Sequence, residues 1–327
     1  MNSEIKIFAG SSGNIFAERM CRYLGIDLGK TAVITFSDGN TYVRIEENVS
    51  DEEIYLVQPI GLNPNNEFVE MLFWMDAFKR AGARYVTVII PYFSYAKGDK
   101  KDESNVSIRA KVCAECIELA GADRVITMDL HAAQIQGFFK KPVDHLLARP
   151  LLVKFLESII SNDTVVVSPD AGFAKNARKY AAMLGVPLAI GDKTRLSHDE
   201  NAEIMEIIGE VSGKDAIIVD DFSLSGGSIV EIARLLKKKG AKRIYACLSH
   251  LPLSEKGVNA IEKSDIDLVI STDSINNERV KKSTKIKVIS VAPLFAEVVK
   301  RMQKRQELGD LIINVPIEVY NASIAYC

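Results

Sequence analysis

At 327 residues the chain has room for two domains of about 150 residues each. Its hydrophobic content of 47% and charged content of 26% fit a soluble globular protein, and a net charge of −2 leaves no global basic field for nucleic acid or an anionic membrane. No apolar run reaches the ~18 residues of a membrane span. The N-terminal MNSEIKIFAG enters a strand pattern within a few residues, so no signal peptide is expected. The five cysteines are odd in number, and the expectation is a cytoplasmic, reduced protein.

In chain order, Ile5–Ala9 reads as a strand, and the Gly10-Ser11-Ser12-Gly13 loop opens a helix from about Asn14 to Leu24. Ala32–Phe36 is a second strand, followed by Ser37-Asp38-Gly39-Asn40 and an extended Tyr42–Ile45. Phe36 could stack on a flat ring, and Asp38 could bond its edge. Strand Ile54–Gln58, helix Glu67–Ala81 and strand Arg84–Pro91 follow. The polar segment from Tyr92 to Ser107, charge-rich from Lys97 to Glu103, reads as a solvated loop or a mobile lid. Cys113 and Cys116 form a CxxC inside helix Ile108–Leu119; with no second cysteine pair, they read as a helix face and not a metal site. Strand Arg124–Asp129 then ends in Asp129-Leu130-His131, where Asp and His could contact a metal or a nucleotide phosphate.

From about Pro150 the alternation starts again: helix Leu151–Ile160, strand Val165–Ser168, helix Gly172–Leu184 and strand Leu188–Gly191. The first of these strands ends in Pro169-Asp170. The second ends in Asp192-Lys193-Thr194-Arg195, where two cations could face one anion. Strand Ala216–Val219, helix Ser228–Lys239, strand Arg243–Leu248, strand Ile286–Ser290 and helix Ala292–Arg305 complete the pattern. The tail Ile312–Cys327 is apolar and β-like. Strands alternating with helices imply an α/β fold of two tandem units, each a mostly parallel sheet flanked by helices.

The segment DAIIVDDFSLSGGSIVEIA (Asp215–Ala233) carries the most chemistry. A buried strand ends on Asp220 and Asp221, a small-residue loop follows, and then an amphipathic helix. Glycines let backbone amides approach an anion, hydroxyls add donors, and a helix N-terminus favours negative charge. The acidic pair suits the vicinal hydroxyls of a ribose, or a metal between sugar and phosphates. The bland alternatives are a tight βα turn and a solvated strand end. Open α/β sheets bind ligands at the carboxyl ends of their strands, which is where this pair lies.

The loop resembles the phosphoribosyl-binding loop of the phosphoribosyltransferase superfamily, with Leu224 in place of its third acid and Ser225 and Ser228 in place of its threonines. With GADRVITMDLHAAQIQGFF (Gly121–Phe139), VVVSPDAG, LAIGDKTR and FSDGNTYVRIEENV, nearly the whole chain is similar to the ribose-phosphate pyrophosphokinase family. That resemblance implies two phosphoribosyltransferase-like domains. Residues 1–148 would form the ATP side, completed by the C-terminal helix, and 149–327 the ribose 5-phosphate side. It also implies Mg²⁺ and a homo-oligomer, dimer-based and up to a hexamer. Lys193 and Arg195 would stabilise the transferring group. Phe36, Asp38, Asn40, Lys97, Asp99 and His131 would bind ATP, the adenine contacts coming from a neighbouring subunit. Asp220, Asp221, Ser225, Gly226, Gly227 and Ser228 would bind ribose 5-phosphate, and His131 and Asp170 the metal.

The chain departs from the family at several positions. Asn40 replaces a glutamate, and Lys97-Gly98 replaces Arg-Gln, which bears on purine-donor selectivity. Ser50 and Asn105 replace two arginines of the phosphate and ADP effector site, so activity without phosphate activation is expected. The Gly-Gly loop is similar to that of the plant-type branch. Two other classes remain open: a non-catalytic regulatory paralogue and a phosphoribosyltransferase.

Overall fold

The computed structural model describes residues 5–195 and 203–326. The chain folds as two compact units. The first runs up to Leu147 and also includes Asp273–Asn276 and Ser290–Tyr326; the second is made of Ala148–Thr272 and Asn277–Ile289.

In the first unit the order is β1 (Lys6–Ala9), α1 (Asn14–Leu24), β2 (Thr31–Thr35), β3 (Thr41–Ile45), β4 (Glu53–Val57), α2 (Pro64–Arg80), β5 (Tyr85–Ile90), α3 (Arg109–Leu119), β6 (Arg124–Met128) and β7 (Val143–Leu146). Five of these strands form an all-parallel sheet in the order β1-β4-β5-β6-β7. The near-continuous apolar runs of β4 and β5 are buried because helices cover a parallel sheet on both faces. Trp74 and Phe78 of α2 stack against each other and, with Phe8 and Met75, are fully buried.

Strands β2 and β3 do not join that sheet. Among the described residues they pair only with each other, antiparallel, as a hairpin closed by Phe36–Asn40. Val43 and Ile45 of β3 pack on the core, while Val33, Ile34, Phe36 and Tyr42 stay exposed. The polar segment after β5 is also more structured than a solvated loop. It begins with a 3₁₀ turn, Ser94–Lys97, whose Ala96 is buried beside Phe93.

The second unit contains α4 (Arg149–Leu156), β8 (Thr164–Ser168), α5 (Ala174–Leu184), β9 (Leu188–Arg195), β10 (Glu203–Ile208), β11 (Asp215–Phe222), α6 (Gly227–Lys238), β12 (Ile244–His250), α7 (Glu255–Glu262), β13 (Leu268–Thr272) and β14 (Ile286–Ile289). Its sheet order is β10-β9-β8-β11-β12-β13-β14, parallel except for β10. After β8 the chain moves outward to β9. After β11 it moves the other way, to β12. The boundary between β8 and β11 is therefore a topological switch point, the place where open α/β sheets leave a crevice at their strands' carboxyl ends.

The chain then returns to the first unit. Asp273 is buried there and accepts from Arg19 at 2.5 Å and from the Val291 amide at 2.7 Å. α8 (Ala292–Gln303) packs on α1, with Phe16 and Phe295 in edge contact. The tail is helical and not β-like: Pro316 caps α9 (Ile317–Ile324), which packs on α8 through Val319. A proline just before a helix lacks only an amide that the first turn would leave unpaired anyway. Among the described residues no helix is long and apolar enough to cross a membrane.

Candidate active site

The switch point of the second unit gathers the acidic strand ends. β8 and β11 are paired neighbours, with Ile218 opposite Val167, so Asp170 and the Asp220-Asp221 pair leave the same edge of the sheet. Ala216–Val219 is fully buried, as its composition demands, and exposure begins at the acids. Asp220 gives up its proton reluctantly. Burial, then the negative charge of Asp221 and a hydrogen bond shared with it, then the charge of Asp170, push its carboxyl up to about 8. Asp170 is exposed; its Oδ1 accepts the Phe173 amide at 2.9 Å, and its own carbonyl accepts from Ser168 Oγ at 2.7 Å.

The loop that follows is held from below. Buried Ser223 accepts the Gly226 amide on its Oγ at 3.1 Å, and Ser225 accepts the Gly227 amide at 3.3 Å. Gly226 takes φ +74°, a left-handed conformation that an L side chain adopts only at a penalty. Behind the loop, Ser254 donates its amide to the Leu224 carbonyl at 3.2 Å. A Cβ on Gly257 of α7 would meet the Ser225 carbonyl carbon at 3.1 Å, so a glycine inside this helix lets it seat against the loop. Ser225, Gly227 and Ser228 are exposed, and α6 starts without a capping side chain. Its first-turn amides and positive dipole end face outward from the loop, an anion cradle.

Lys193 and Arg195 lie within β9 and not in a loop after it. β9 continues past Gly191 because β10 pairs with it antiparallel, Lys193 opposite Met205 and Arg195 opposite Glu203. The connection from 196 to 202 lies outside the described residues.

In the first unit, β5 and β6 are parallel neighbours, so the segments leaving their carboxyl ends share one sheet edge. One carries Lys97 and Asp99, the other His131. Lys97 Nζ stands 5.8 Å from the Tyr92 ring centroid, and Asp99 is half-buried. Asp129 has φ +41°, a strained position of the kind that clusters at functional sites. Its neighbour Leu130 donates its amide to His145 Nε2 at 2.9 Å. Burial holds the His145 imidazole below its usual range, against the opposing charge of Asp129, so it stays a neutral acceptor. His131 itself is exposed. Phe36, Asp38 and Asn40 sit together at the hairpin tip. The Asn40 amide and side chain donate to Asp38 at 2.9 and 3.0 Å, which holds that carboxyl below its usual range. Asn40 thus braces Asp38.

The structure therefore brings Asp170, Asp220, Asp221 and Ser225–Ser228 to one sheet edge of the second unit, and Lys97, Asp99 and His131 to one sheet edge of the first. Sequence reasoning missed Ser223 and His145, which support the loops and do not protrude. The signals were there: a serine three residues before the cradle glycine, and one of only four histidines within a short run, Val143–Leu146, that forms a strand. In contrast, the Gly10–Gly13 loop is not an anion cradle. Glu70 accepts the Ser11 amide at 2.8 Å and bonds its hydroxyl, so the protein's own carboxylate fills the place. Burial pushes the Cys113 thiol up to about 12, in keeping with an inert helix face.

A divalent cation fits the second unit's acids. Asp170 and Asp221 add their negative charge at Asp220, whose carboxyl is pushed up to about 8 chiefly by burial. Among the described residues no group of three or more His, Cys, Asp or Glu is arranged to hold a metal ion by itself. One or two carboxylates plus phosphate oxygens and water is the donor set that Mg²⁺ takes.

Comparison with known proteins agrees with this geometry. Residues 5–121 match a model of the N-terminal domain of ribose phosphate pyrophosphokinase, and 197–313 match the phosphoribosyl synthetase-associated domain. The ribose-phosphate pyrophosphokinase of Caldanaerobacter subterraneus subsp. tengcongensis is 44% identical over 310 residues, which cover 94% of this chain and 98% of the relative. That of Thermotoga maritima is 44% identical over 313 residues, 95% and 98% of the two chains. The crystal structure of phosphoribosylpyrophosphate synthetase from Mycobacterium smegmatis superposes with a TM-score of 0.87 at 32% identity, covering 92% of this chain and 99% of that one. Likeness of that extent, in sequence and in fold and from end to end, means that the chain belongs to the ribose-phosphate pyrophosphokinase family.

Proposed function

We propose that this chain transfers the diphosphoryl group of ATP to the anomeric hydroxyl of ribose 5-phosphate, giving phosphoribosyl pyrophosphate and AMP. The observation that carries the reading is the switch-point crevice, where an acidic pair, an uncapped helix N-terminus and exposed serines adjoin a third carboxylate.

Asp220 and Asp221 take the ribose hydroxyls, while the amides and hydroxyls of Ser225, Gly226, Gly227 and Ser228 grip the 5-phosphate. The anomeric oxygen attacks the β-phosphorus, and a new O–P bond forms. The bond from that phosphorus to the α,β-bridging oxygen breaks, AMP leaves with the electron pair, and the hydroxyl proton passes to solvent. There is little covalent work for the protein in such a step, so positioning and charge stabilisation dominate. Lys193 and Arg195 neutralise charge on the transferring group. Lys97, Asp99 and His131 hold the nucleotide, and Phe36, Asp38 and Asn40 of a second copy hold its adenine. On the nucleotide side His131 would contact the metal-bound phosphates, and on the sugar side Asp170 would hold Mg²⁺ or its water shell; the metal would supply charge neutralisation on the phosphates. The exposed Val33, Ile34, Phe36 and Tyr42 support a homo-oligomer, here taken as dimer-based and cytoplasmic.

The test is a coupled assay for AMP from ATP and ribose 5-phosphate, run on the wild type and Asp221→Asn. The wild type should form AMP only with sugar present. The variant should lose sugar affinity while calorimetric ATP binding stays nearly intact. Collapse of ATP binding with sugar affinity retained would overturn the assignment of the loop.

A further inference from the structure

Between Lys97 and Asp99, the backbone of Gly98 is covered by an arginine. A Cβ on Gly98 would lie 2.6 Å from Arg109 Nε, 3.0 Å from Arg109 Cβ and 3.2 Å from its Cζ. The Arg109 side chain thus lies along the residue-98 backbone, and the Ala110 amide ties the same place by donating to the Gly98 carbonyl at 3.1 Å. Residue 98 is buried beneath it, and Arg109 is exposed above. A side chain at 98 would collide with the arginine as it lies here, so one of the two must move.

The two residues line a cleft of about 430 Å³ with Lys97, Lys100, Asp102 and Glu103 among others. Three cations and two carboxylates line it, a net positive balance, at the sheet edge that also sends out His131. Lysine is a flexible point charge, whereas a guanidinium is a planar fork that matches two phosphate oxygens at once. Here the fork is pre-organised, because its stem is laid across a glycine and its helix is tied to that glycine's carbonyl.

We propose that Arg109 is a polyphosphate contact for the nucleoside triphosphate, supplying the forked donor that Lys97 lacks. The inference rests on reading this edge as the ATP side. It adds a residue to that side, and it gives Gly98 a reason: the glycine vacates the space the arginine needs.

The test is the Mg·ATP dissociation constant, by calorimetry without sugar, alongside KM for each substrate, in Arg109→Ala and Arg109→Lys. Arg109→Ala should weaken Mg·ATP binding and raise its KM by about tenfold or more, the usual loss of a charge-assisted hydrogen bond. KM for ribose 5-phosphate should move less than twofold, and Arg109→Lys should recover only part of the loss. The packing has its own readout. Gly98→Ala should lower the melting temperature in the wild-type background and much less in Arg109→Ala. Unchanged Mg·ATP affinity in Arg109→Ala overturns the proposal. If the wild type makes no AMP, the reading of the reaction fails, and the calorimetric comparison still decides the role of Arg109.

Discussion

Asp220→Asn should stabilise the ligand-free protein while impairing it as a catalyst. The folded chain keeps a proton on Asp220 up to about 8, chiefly through burial and secondarily through Asp221, whereas an unfolded aspartate loses it near ~3.9. Between those values the native state binds more protons than the unfolded state, so unfolding free energy falls as pH rises. The contribution is fully present below about pH 4 and is lost as pH climbs towards 8, at up to ~1.4 kcal/mol per pH unit. By pH 7 that bounds the penalty at about 4 kcal/mol. Asparagine has the same shape, can still donate to Asp221 and carries no titrating charge. The assay is the thermal midpoint of both proteins from pH 5 to 8, without metal or substrate. The wild type should lose ground steadily with pH, and the variant should stand above it by a margin that widens upward. Activity should fall in the same variant, as expected where a site is built for function at the expense of stability. Parallel pH profiles would refute the burial argument.

Lys193→Ala should lower kcat by at least ~10²-fold with little change in either KM, because the contact is made mainly in the transition state; steady-state kinetics decide it, and wild-type turnover would remove Lys193 from the catalytic set. Gly226→Ala forces a side chain into a left-handed backbone position, with its Cβ 3.3 Å from the Gly257 carbonyl oxygen. It should cost about 1–2 kcal/mol in urea unfolding and raise KM for ribose 5-phosphate far more than for ATP. Ser50 and Asn105 are uncharged, and the family resemblance places them where an effector site usually has arginines. Each missing charge-assisted bond is worth roughly 1.5–3 kcal/mol, which predicts a loss of effector affinity of ~10² or more. Initial rates should then be independent of added inorganic phosphate, and ADP should compete simply with ATP; a strict phosphate requirement would contradict this.

How much was legible in the sequence depended on what each element packs against. The core of β11 and the cradle of α6 were plain, because a strand buried on both faces reads as an unbroken apolar run and the loop's small residues have a steric reason. β9 was read as ending at Gly191, since Asp192, Lys193 and Arg195 look like a solvated loop; it runs on because β10 supplies an antiparallel partner, which no local pattern announces. α7 went unread because Gly257 interrupts it, and that glycine is explained only by Ser225 of the cradle lying against it. β13 was hidden by the aspartates that flank its short apolar run. The tail looked like strand because Ile, Val and Tyr favour extended backbone, and packing on α8 overrides that preference. The grouping of Asp170 with Asp220 and Asp221 could not be read from spacing. It follows from the order of strands in the sheet.

The central claim concerns which bond is made, so the most direct measurement follows the oxygen. Ribose 5-phosphate labelled with ¹⁸O at the anomeric position is incubated with ATP, Mg²⁺ and the protein, and the products are read by ³¹P NMR before the label exchanges with water. Attack of the sugar oxygen on the β-phosphorus predicts AMP in equal amount to phosphoribosyl pyrophosphate, with the ¹⁸O retained in the bridge between carbon and phosphorus. ADP as the nucleotide product, or a diphosphate ester without the label, would contradict the account.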